Sequence, residues 1–489
     1  MKPSPPGPTA AAPPRRLRAV SRELPADLET PVSAFLKLKP HGAMLLLESV
    51  ERGVQLGRYS FIGIAPRTKI IIDESNLMVI GPDGRTTVPH EREDAAANPL
   101  THLKTLLGSY EIDFEGDHPP LLGGTVGYIS YDMVRQFERL PDRSRDVLGL
   151  PLAMLYLIDT LLVFDHVQHR LRLIALTDDA DTTRTEKQLQ TLTTALRTPL
   201  EYNGTGSVND QSGELTSNVR KEDFCTTVEQ VKEHIAAGDV YQLVVSQRLT
   251  GRTEADPFTI YRALRMLNPS PYLFYLDFDE TKLIGSSPEA LVSLAGRQAT
   301  VRPIAGTRPR GDSLEDDRRL AEELLADDKE RAEHVMLVDL GRNDLGRCCA
   351  TGSVKVSEFM AIERFSHVMH MTSTVHGRLR DDVDQFELFR AAFPAGTVSG
   401  APKIRAMQLI EQFEPHRRGP YAGAVGYFSL SGDMDWCIAI RTIVMKGATF
   451  HLQAGAGIVA DSVPEREYEE TLHKLAALRR AIAAAEEGF

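Results

Sequence analysis

The sequence predicts an α+β fold with mixed and antiparallel β-sheets. Three observations carry this. Short apolar runs bounded by turn residues read as strands. Stretches with apolar residues at helical spacing read as amphipathic helices. The two kinds come in blocks, not in strict βαβ alternation, which disfavours a doubly wound parallel sheet. The chain has 489 residues, 42% hydrophobic and 25% charged, enough for a large core.

In chain order, residues 1–16 (MKPSPPGPTAAAPPRR) lack a leucine-type apolar core. They read as a disordered tail rather than a signal peptide. Residues 17–200 form a front region with strand candidates AMLLLES, TKIIID, NLMVIGPDG and TVGYISYDMV, then an amphipathic helix, DTTRTEKQLQTLTTAL. Residues 201–217, crowded with Gly, Ser and Asn, are the linker candidate. Residues 218–485 have a different texture. KEDFCTTVEQVKEHIAAGD reads as a helix ending at Gly238, and VYQLVVSQRL as a buried strand. DPFTIYRALRMLNP is a second helix, stopped by Asn268-Pro269. YLFYLDF and KLIGSS are strands, and one long charged helix is expected over about 314–338. GAVGYFSL, WCIAIRTIVM and TFHLQAGAGIV read as successive strands before a last helix near Pro464. No internal repeat is visible.

Bulk properties exclude several classes. A net charge of −12 argues against a nucleic-acid partner. The longest apolar stretch, LAMLYLIDTLLVF, is interrupted by Asp159 and too short to span a bilayer, so no membrane role is expected. The four cysteines include no C-x-x-C pair, which suits a reducing, cytoplasmic setting.

PAGTVSGAPK, residues 394–403, is a glycine-rich, hydroxyl-bearing loop running into a helix. Backbone N–H groups and the helix dipole favour an anion there, with Thr397 or Ser399 as added donors. An ordinary capped turn is the competing reading. Two acidic pairs, Glu330/Glu333 and Glu467/Glu470, each lie on one helix face. Roughly nine such pairs arise by chance at this acid content, so each alone reads as a solvated face. Brought together, they would make an oxygen site for Mg²⁺. Gly455 and Gly457 in QAGAGIV mark a bulge or close approach. Arg441 inside an apolar run, with Lys474, Arg308 and Arg310, needs anionic partners, either a bound carboxylate or an internal one. His370 is a candidate base.

The motifs PIAGTRPRG, KERAEHVMLVDLGRNDLGR, FPAGTVSGAPK, GAVGYF and QAGAGIVADSVPEREYEET, in this order, resemble the chorismate-utilising enzymes. The likeness covers about 218–480 closely and extends forward through LLLESVERG and GRYSFIG. It implies sheets packed as a sandwich with helices outside. By that resemblance Glu333 and Glu470 would be the closest Mg²⁺ ligands, with Glu330 and Glu467 behind bound waters. Arg441, Tyr421 and the Gly455–Gly457 backbone would clamp the enolpyruvyl carboxylate of chorismate. Ala305, Gly306, Thr307, Thr397 and Lys474 fall at substrate positions. Glu289 in GSSPE resembles the general acid for the leaving hydroxyl, and His370 the base of the elimination.

Gln242 stands where water-adding relatives carry a lysine base, and an amide cannot take a proton from water. Ala305 in PIAGT stands where many aminodeoxychorismate-forming relatives carry a nucleophilic lysine. The resemblance therefore favours the anthranilate-forming branch, with the aminodeoxychorismate-forming branch second and a non-catalytic tryptophan sensor third. No cysteine sits in a glutaminase elbow, so a separate glutamine amidotransferase subunit, component II, is the expected source of ammonia. Two further stretches would meet in a pocket for the inhibitor L-tryptophan: Glu48 and Ser49, and Asn268, Pro269, Pro271, Tyr272 and Leu273. Read locally, both are plain strand or helix ends.

Overall fold

The computed structural model describes residues 13–49, 57–90, 98–114, 117–178, 181–200, 215–311, 313–364 and 368–488. Two large sheets dominate them, one of 13 strands and one of 12. Pairing is antiparallel except between Arg15–Pro25 and Tyr110–Asp113.

Apolar residues place the layers. Leu45, Phe61, Phe274 and Leu276 of the first sheet meet Val126, Tyr128, Tyr156 and Val425 of the second. The outer face of the first sheet packs on helices Pro31–Leu38, Thr182–Arg197, Pro257–Leu267 and Pro464–Glu486 through Phe35, Leu192, Phe258 and Leu478. The outer face of the second packs on Pro99–Gly108, Asp328–Gly346 and Gln385–Ala392 through Leu103, Val338 and Phe389. The result is the expected sandwich with helices outside. Each fully buried side chain of this size contributes about 1.5–3 kcal/mol. Phe35 stacks on Phe258 at 4.3 Å, which ties the front region to the rest.

Strands from both sides of the expected linker share each sheet. In the first, Ala43–Glu48 lies between Tyr59–Ile64 and Tyr272–Phe278. In the second, Gly124–Ile129 pairs with Ala424–Ser429. Residues 1–12 of the expected tail and 201–214 of the expected linker lie outside the described residues. The first strand already begins at Arg15, inside the expected tail, because its N–H reaches Ser109 O at 2.7 Å. Thr216–Ser217, at the end of the expected linker, pairs with Leu249 and Thr250.

Two elements differ from expectation. The single helix over 314–338 is two, Leu314–Ala326 and Asp328–Gly346. Asp327 separates them: its carboxylate accepts from Lys329 N–H and Glu330 N–H, both at 3.1 Å, and so caps the second. WCIAIRTIVM is not one strand. Met434–Ile438 belongs to the second sheet and Thr442–Lys446 to the first, and Arg441 has a left-handed φ of 50° between them. A second crossing lies beside it, from Thr281–Ser287 in the first sheet to Ala290–Ala295 in the second. Ser286 N–H donates to Arg441 O at 3.1 Å, and Ile438 N–H to Glu289 O at 3.0 Å. The crossings thus bring Glu289 and Arg441 to the same end of the sandwich.

Candidate active site and an adjoining cavity

Glu289 stands at the crossing between the sheets. Burial pushes its carboxyl up to about 8, against the Thr397 hydroxyl and the Lys474 ammonium, which favour the anion. Thr397 Oγ1 is buried beside this carboxyl, and apart from Glu289 no hydrogen-bond partner for it is found among the described residues. The rest of PAGTVSGAPK is committed internally. Ser399 Oγ donates to Ala395 O at 2.8 Å, and Lys403 Nζ reaches both Asp344 carboxylate oxygens at 3.0 and 2.9 Å. Gly400 holds the loop against the strand Gln242–Arg252, since a Cβ there would lie 2.2 Å from Gln242 O. Of the two hydroxyls in the loop, Thr397 is therefore the one beside Glu289.

The strand Gln242–Arg252 pairs with Thr449–Ile458, which sets Val244 opposite Gly457 and Ser246 opposite Gly455. Both glycines mark close approaches. A Cβ on Gly457 would lie 2.6 Å from Gln242 Nε2, and one on Gly455 would lie 2.8 Å from Tyr421 Oη. Lys474 Nζ donates to Gly455 O at 2.9 Å and pairs with Glu470 at 2.6 Å. Tyr421 is buried, and its hydroxyl is pushed up to about 12 by burial. Arg441 feels Tyr421 and Glu470, yet burial lowers its pKa, and it has no ion pair among the described residues. Its guanidinium is thus a half-buried cation with no ion-pair partner among the described residues. Arg308 and Arg310 are not: Arg308 pairs with Asp327 at 2.8 Å and Glu330 at 3.3 Å, and Arg310 with Asp317.

The acidic pairs come from the helices Asp328–Gly346 and Pro464–Glu486. Gln242 Nε2 donates to Glu333 Oε1 at 3.0 Å, while Gln242 Oε1 is buried without a partner. Burial, then the neighbouring Glu330, raises the Glu333 carboxyl, although Gln242 opposes this. Burial likewise raises Glu467, and Glu470 adds to it. Lys329 and Lys474 both act on Glu333 and on Glu467, so the two pairs share one electrostatic neighbourhood. Among the described residues no three carboxylate, imidazole or thiol groups form a complete metal cage.

His370 lies on the strand Val368–Arg378, paired with Ile304–Pro309. The register slips between Ala305 and Thr307, and Gly306 takes a left-handed φ of 69° at the bulge. A Cβ on Gly306 would meet Leu324 at 2.8 Å and Glu330 at 3.1 Å. His370 Nδ1 lies 3.0 Å from Thr307 Oγ1 and 3.2 Å from Gly306 O. A carbonyl only accepts, so Nδ1 carries the proton and Nε2 the basic lone pair. Burial lowers the His370 pKa, and Arg441 adds to this.

A cavity of about 390 Å³ lies between the sheets, lined by Glu48, Ser49, Pro271, Tyr272 and Leu273. Asn268 and Pro269 do not line it. Asn268 Nδ2 instead donates to Ser286 Oγ at 3.1 Å. Glu48 is already met by Tyr261 and by Arg265 at 2.9 Å. Sequence reading missed Arg58, Phe61, Tyr427 and Asp435 in the lining. Asp435 is the informative one. Burial pushes its carboxyl to about 6, and Tyr272 Oη donates to it at 3.0 Å. Its one sequence signal is an acid alternating with apolar residues in DMDWCIA.

Residues 59–480 match the family of chorismate binding enzymes. The chain belongs to that family. Within it, the chain is 44% identical to anthranilate synthase component 1 of Acetivibrio thermocellus, over 96% of both chains. It is 45% identical to the protein of that name from Thermus thermophilus, over 97% of this chain and all of the relative. The crystal structure of anthranilate synthase component I from Streptococcus pneumoniae superposes with a TM-score of 0.78 at 35% identity, covering 93% of this chain and 99% of that one. These relatives place the chain among the anthranilate synthase component 1 proteins.

Proposed function

We propose that this chain converts chorismate and ammonia into anthranilate, pyruvate and water. The observation that carries the reading is the convergence, at one pair of sheet crossings, of the half-buried Glu289, whose carboxyl is pushed up to about 8, with the half-buried Arg441, which has no ion pair among the described residues. A dianionic substrate that must lose a hydroxyl needs both. Arg441, Tyr421 and the Gly455–Gly457 backbone hold the enolpyruvyl carboxylate. Thr397 and Lys474 lie along the substrate, and the Ala305–Thr307 bulge presents His370 to it.

Ammonia adds at C2 of the ring while Glu289 gives its proton to the departing C4 hydroxyl, which leaves as water. The ammonium so formed loses a proton, which restores the Glu289 carboxyl. His370 Nε2 then takes the C2 proton, the C3–oxygen bond breaks, the enolate of pyruvate departs and takes up one proton on carbon to become pyruvate, and the ring becomes aromatic. Gln242 cannot activate water, which keeps ammonia as the nucleophile.

The acids fit Mg²⁺. They offer hard oxygen donors, and burial first, then the neighbouring carboxylates Glu330 and Glu470, raises the Glu333 and Glu467 carboxyls, a cost that a bound cation would offset. Glu333 and Glu470 would hold it, supported by Glu330 and Glu467. When bound, the ion would supply charge neutralisation for the ring carboxylate. A separate glutamine amidotransferase, component II, supplies ammonia in the cell, L-tryptophan inhibits from the 390 Å³ cavity, and the protein works in the cytoplasm. Among the described residues no helix is long and apolar enough to cross a membrane.

The test is turnover of the purified chain with chorismate, Mg²⁺ and ammonium salt, followed by anthranilate fluorescence. Anthranilate is expected with ammonium, and none with glutamine until component II is added. An absence of product under both conditions sinks the proposal and favours a tryptophan sensor. 4-Amino-4-deoxychorismate as the product favours the neighbouring branch of the family.

A further inference from the structure

Arg418 is 2% exposed and has no part in the chemistry assigned above. Four of its five N–H donors are used inside the protein. Nε and Nη2 donate to the two Glu414 carboxylate oxygens at 2.8 and 2.6 Å. Nη1 donates to Val398 O at 2.6 Å, and Nη2 also to Val244 O at 2.9 Å. Glu414 in turn accepts from Ser246 N–H and Ser246 Oγ, both at 2.9 Å. The guanidinium also stands near two aromatic rings, 4.7 Å from the centre of Tyr131 and 5.6 Å from that of Tyr421. These partners border the residues read as touching substrate. Val398 follows Thr397 in the chain. Val244 and Ser246 lie opposite Gly457 and Gly455 on the neighbouring strand. Tyr421 is itself a clamp residue. One buried side chain thus joins the hydroxyl loop, the glycine strand and the clamp tyrosine.

Burying this charge costs stability even when it is paired, and an apolar side chain of similar size would fill the space at least as favourably. What the charge supplies is geometry. A planar fork with fixed donor directions leaves the loop, the strand and the ring one mutual arrangement. We propose that Arg418 is a positioning residue that holds Thr397, the Gly455–Gly457 backbone and Tyr421 in register for the substrate, with Glu414 and Ser246 orienting it. This rests on the reading of those three as substrate contacts. Arg418 acts through them, since its donors are turned to Glu414 and two backbone carbonyls. The nearby pair of Arg135 and Glu411 offers a contrast. It is also buried, but Arg135 reaches Asp132, Pro141 and Ser144, none of which borders a substrate position.

The experiment uses the full chain with Mg²⁺. Chorismate binding is read by calorimetry without ammonium, KM and kcat with it, and Tm by thermal unfolding. Arg418→Lys keeps the charge but replaces the fork by a single ammonium. Ser246→Ala loosens Glu414 and serves should the first variant fail to fold. The chorismate dissociation constant and KM should rise roughly tenfold in Arg418→Lys and about fivefold in Ser246→Ala, with kcat changed less than about threefold. Arg135→Lys should lower Tm yet leave the dissociation constant within about twofold of wild type, which separates positioning from stability. Tyr421→Phe closes a double-mutant cycle: combined with Arg418→Lys, it should weaken binding by less than the product of the two single losses. A dissociation constant within about twofold of wild type in Ser246→Ala, or in folded Arg418→Lys, overturns the proposal. So does an equal rise in Arg135→Lys, and so do losses that simply multiply in the cycle. A wild-type chain that binds no chorismate removes the substrate site and the proposal with it, whereas unaffected variants of a chain that binds chorismate remove the positioning role alone.

Discussion

Glu289 is kept protonated by its surroundings, at a cost to stability. Its carboxyl is raised to about 8 from a value of 4.5, so the folded chain binds this proton more tightly than the unfolded chain. The associated stability is fully present below 4.5 and is lost as pH rises to about 8. Glu289→Gln should therefore remove turnover by at least ~100-fold, the scale of a general acid, while stabilising the chain by up to a few kcal/mol at pH 8. At pH 4 the two proteins should unfold alike. Denaturant titrations at both pH values check this, and a variant less stable than wild type at pH 8 contradicts it. The same group sets the alkaline limb of kcat/KM, which should fall as pH passes about 8. His370 titrates the other way. Burial holds it neutral to lower pH than a free imidazole, so it stays a competent base in mildly acidic solution. His370→Ala should leave amination and stop elimination, so chromatography of quenched reactions should find the aminated intermediate where wild type yields anthranilate. An equal loss of both products assigns His370 another role. Glu289 and His370 were legible in the sequence only through long motifs, since a lone acid or histidine carries little information. Asp435 was not legible, because its burial depends on partners far away in the chain.

Helix ends and strand breaks decide where the site falls. The sequence texture over 314–338 reads as one continuous charged helix, and propensity alone favours that. The structure breaks it because Asp327 satisfies the Lys329 and Glu330 N–H groups and pairs with Arg308. That break aims the helix carrying Glu330 and Glu333. Asp327→Ala should cost about 1–2 kcal/mol in stability, the range of a lost N-cap. It should also raise the Mg²⁺ concentration needed for half-maximal turnover, whereas a cap on a helix remote from the acidic pairs would alter stability alone. Thermal unfolding and an Mg²⁺ titration of activity separate these outcomes. WCIAIRTIVM shows a complementary difficulty. Its apolar composition is that of a buried strand on either side of Arg441, and nothing local tells that the two halves enter different sheets. The only trace is the arginine itself, a residue that an uninterrupted buried strand would not tolerate without a partner.

Across the whole molecule, strands distant in sequence are neighbours in space. Short apolar runs were legible as strands, but partners such as Leu45–Leu276 and Val126–Tyr427 are set by packing between segments that composition cannot pair. The front region therefore contributes to both sheets, and its LLLES stretch reaches the strand Tyr272–Phe278, whose neighbour leads to Glu289. This arrangement puts the cavity between the sheets within one strand of the active site. It encloses apolar walls from Phe61, Phe274 and Val425 with a buried carboxyl, Asp435, and Ser49 at its edge. Those features suit an amino acid with a large apolar side chain and an ammonium group. L-Tryptophan bound there should raise the chorismate KM, and chorismate should weaken tryptophan binding by the same factor. Ser49→Phe places a large side chain at the cavity edge, away from the acids, His370 and Arg441. It should leave turnover without tryptophan within about twofold of wild type and raise the half-inhibitory tryptophan concentration at least ~10-fold, a loss of about 1.4 kcal/mol of binding. Calorimetry should show the corresponding loss of affinity in the absence of chorismate. Full sensitivity in Ser49→Phe, with unchanged tryptophan affinity, moves the inhibitor out of this cavity and leaves the catalytic assignments standing.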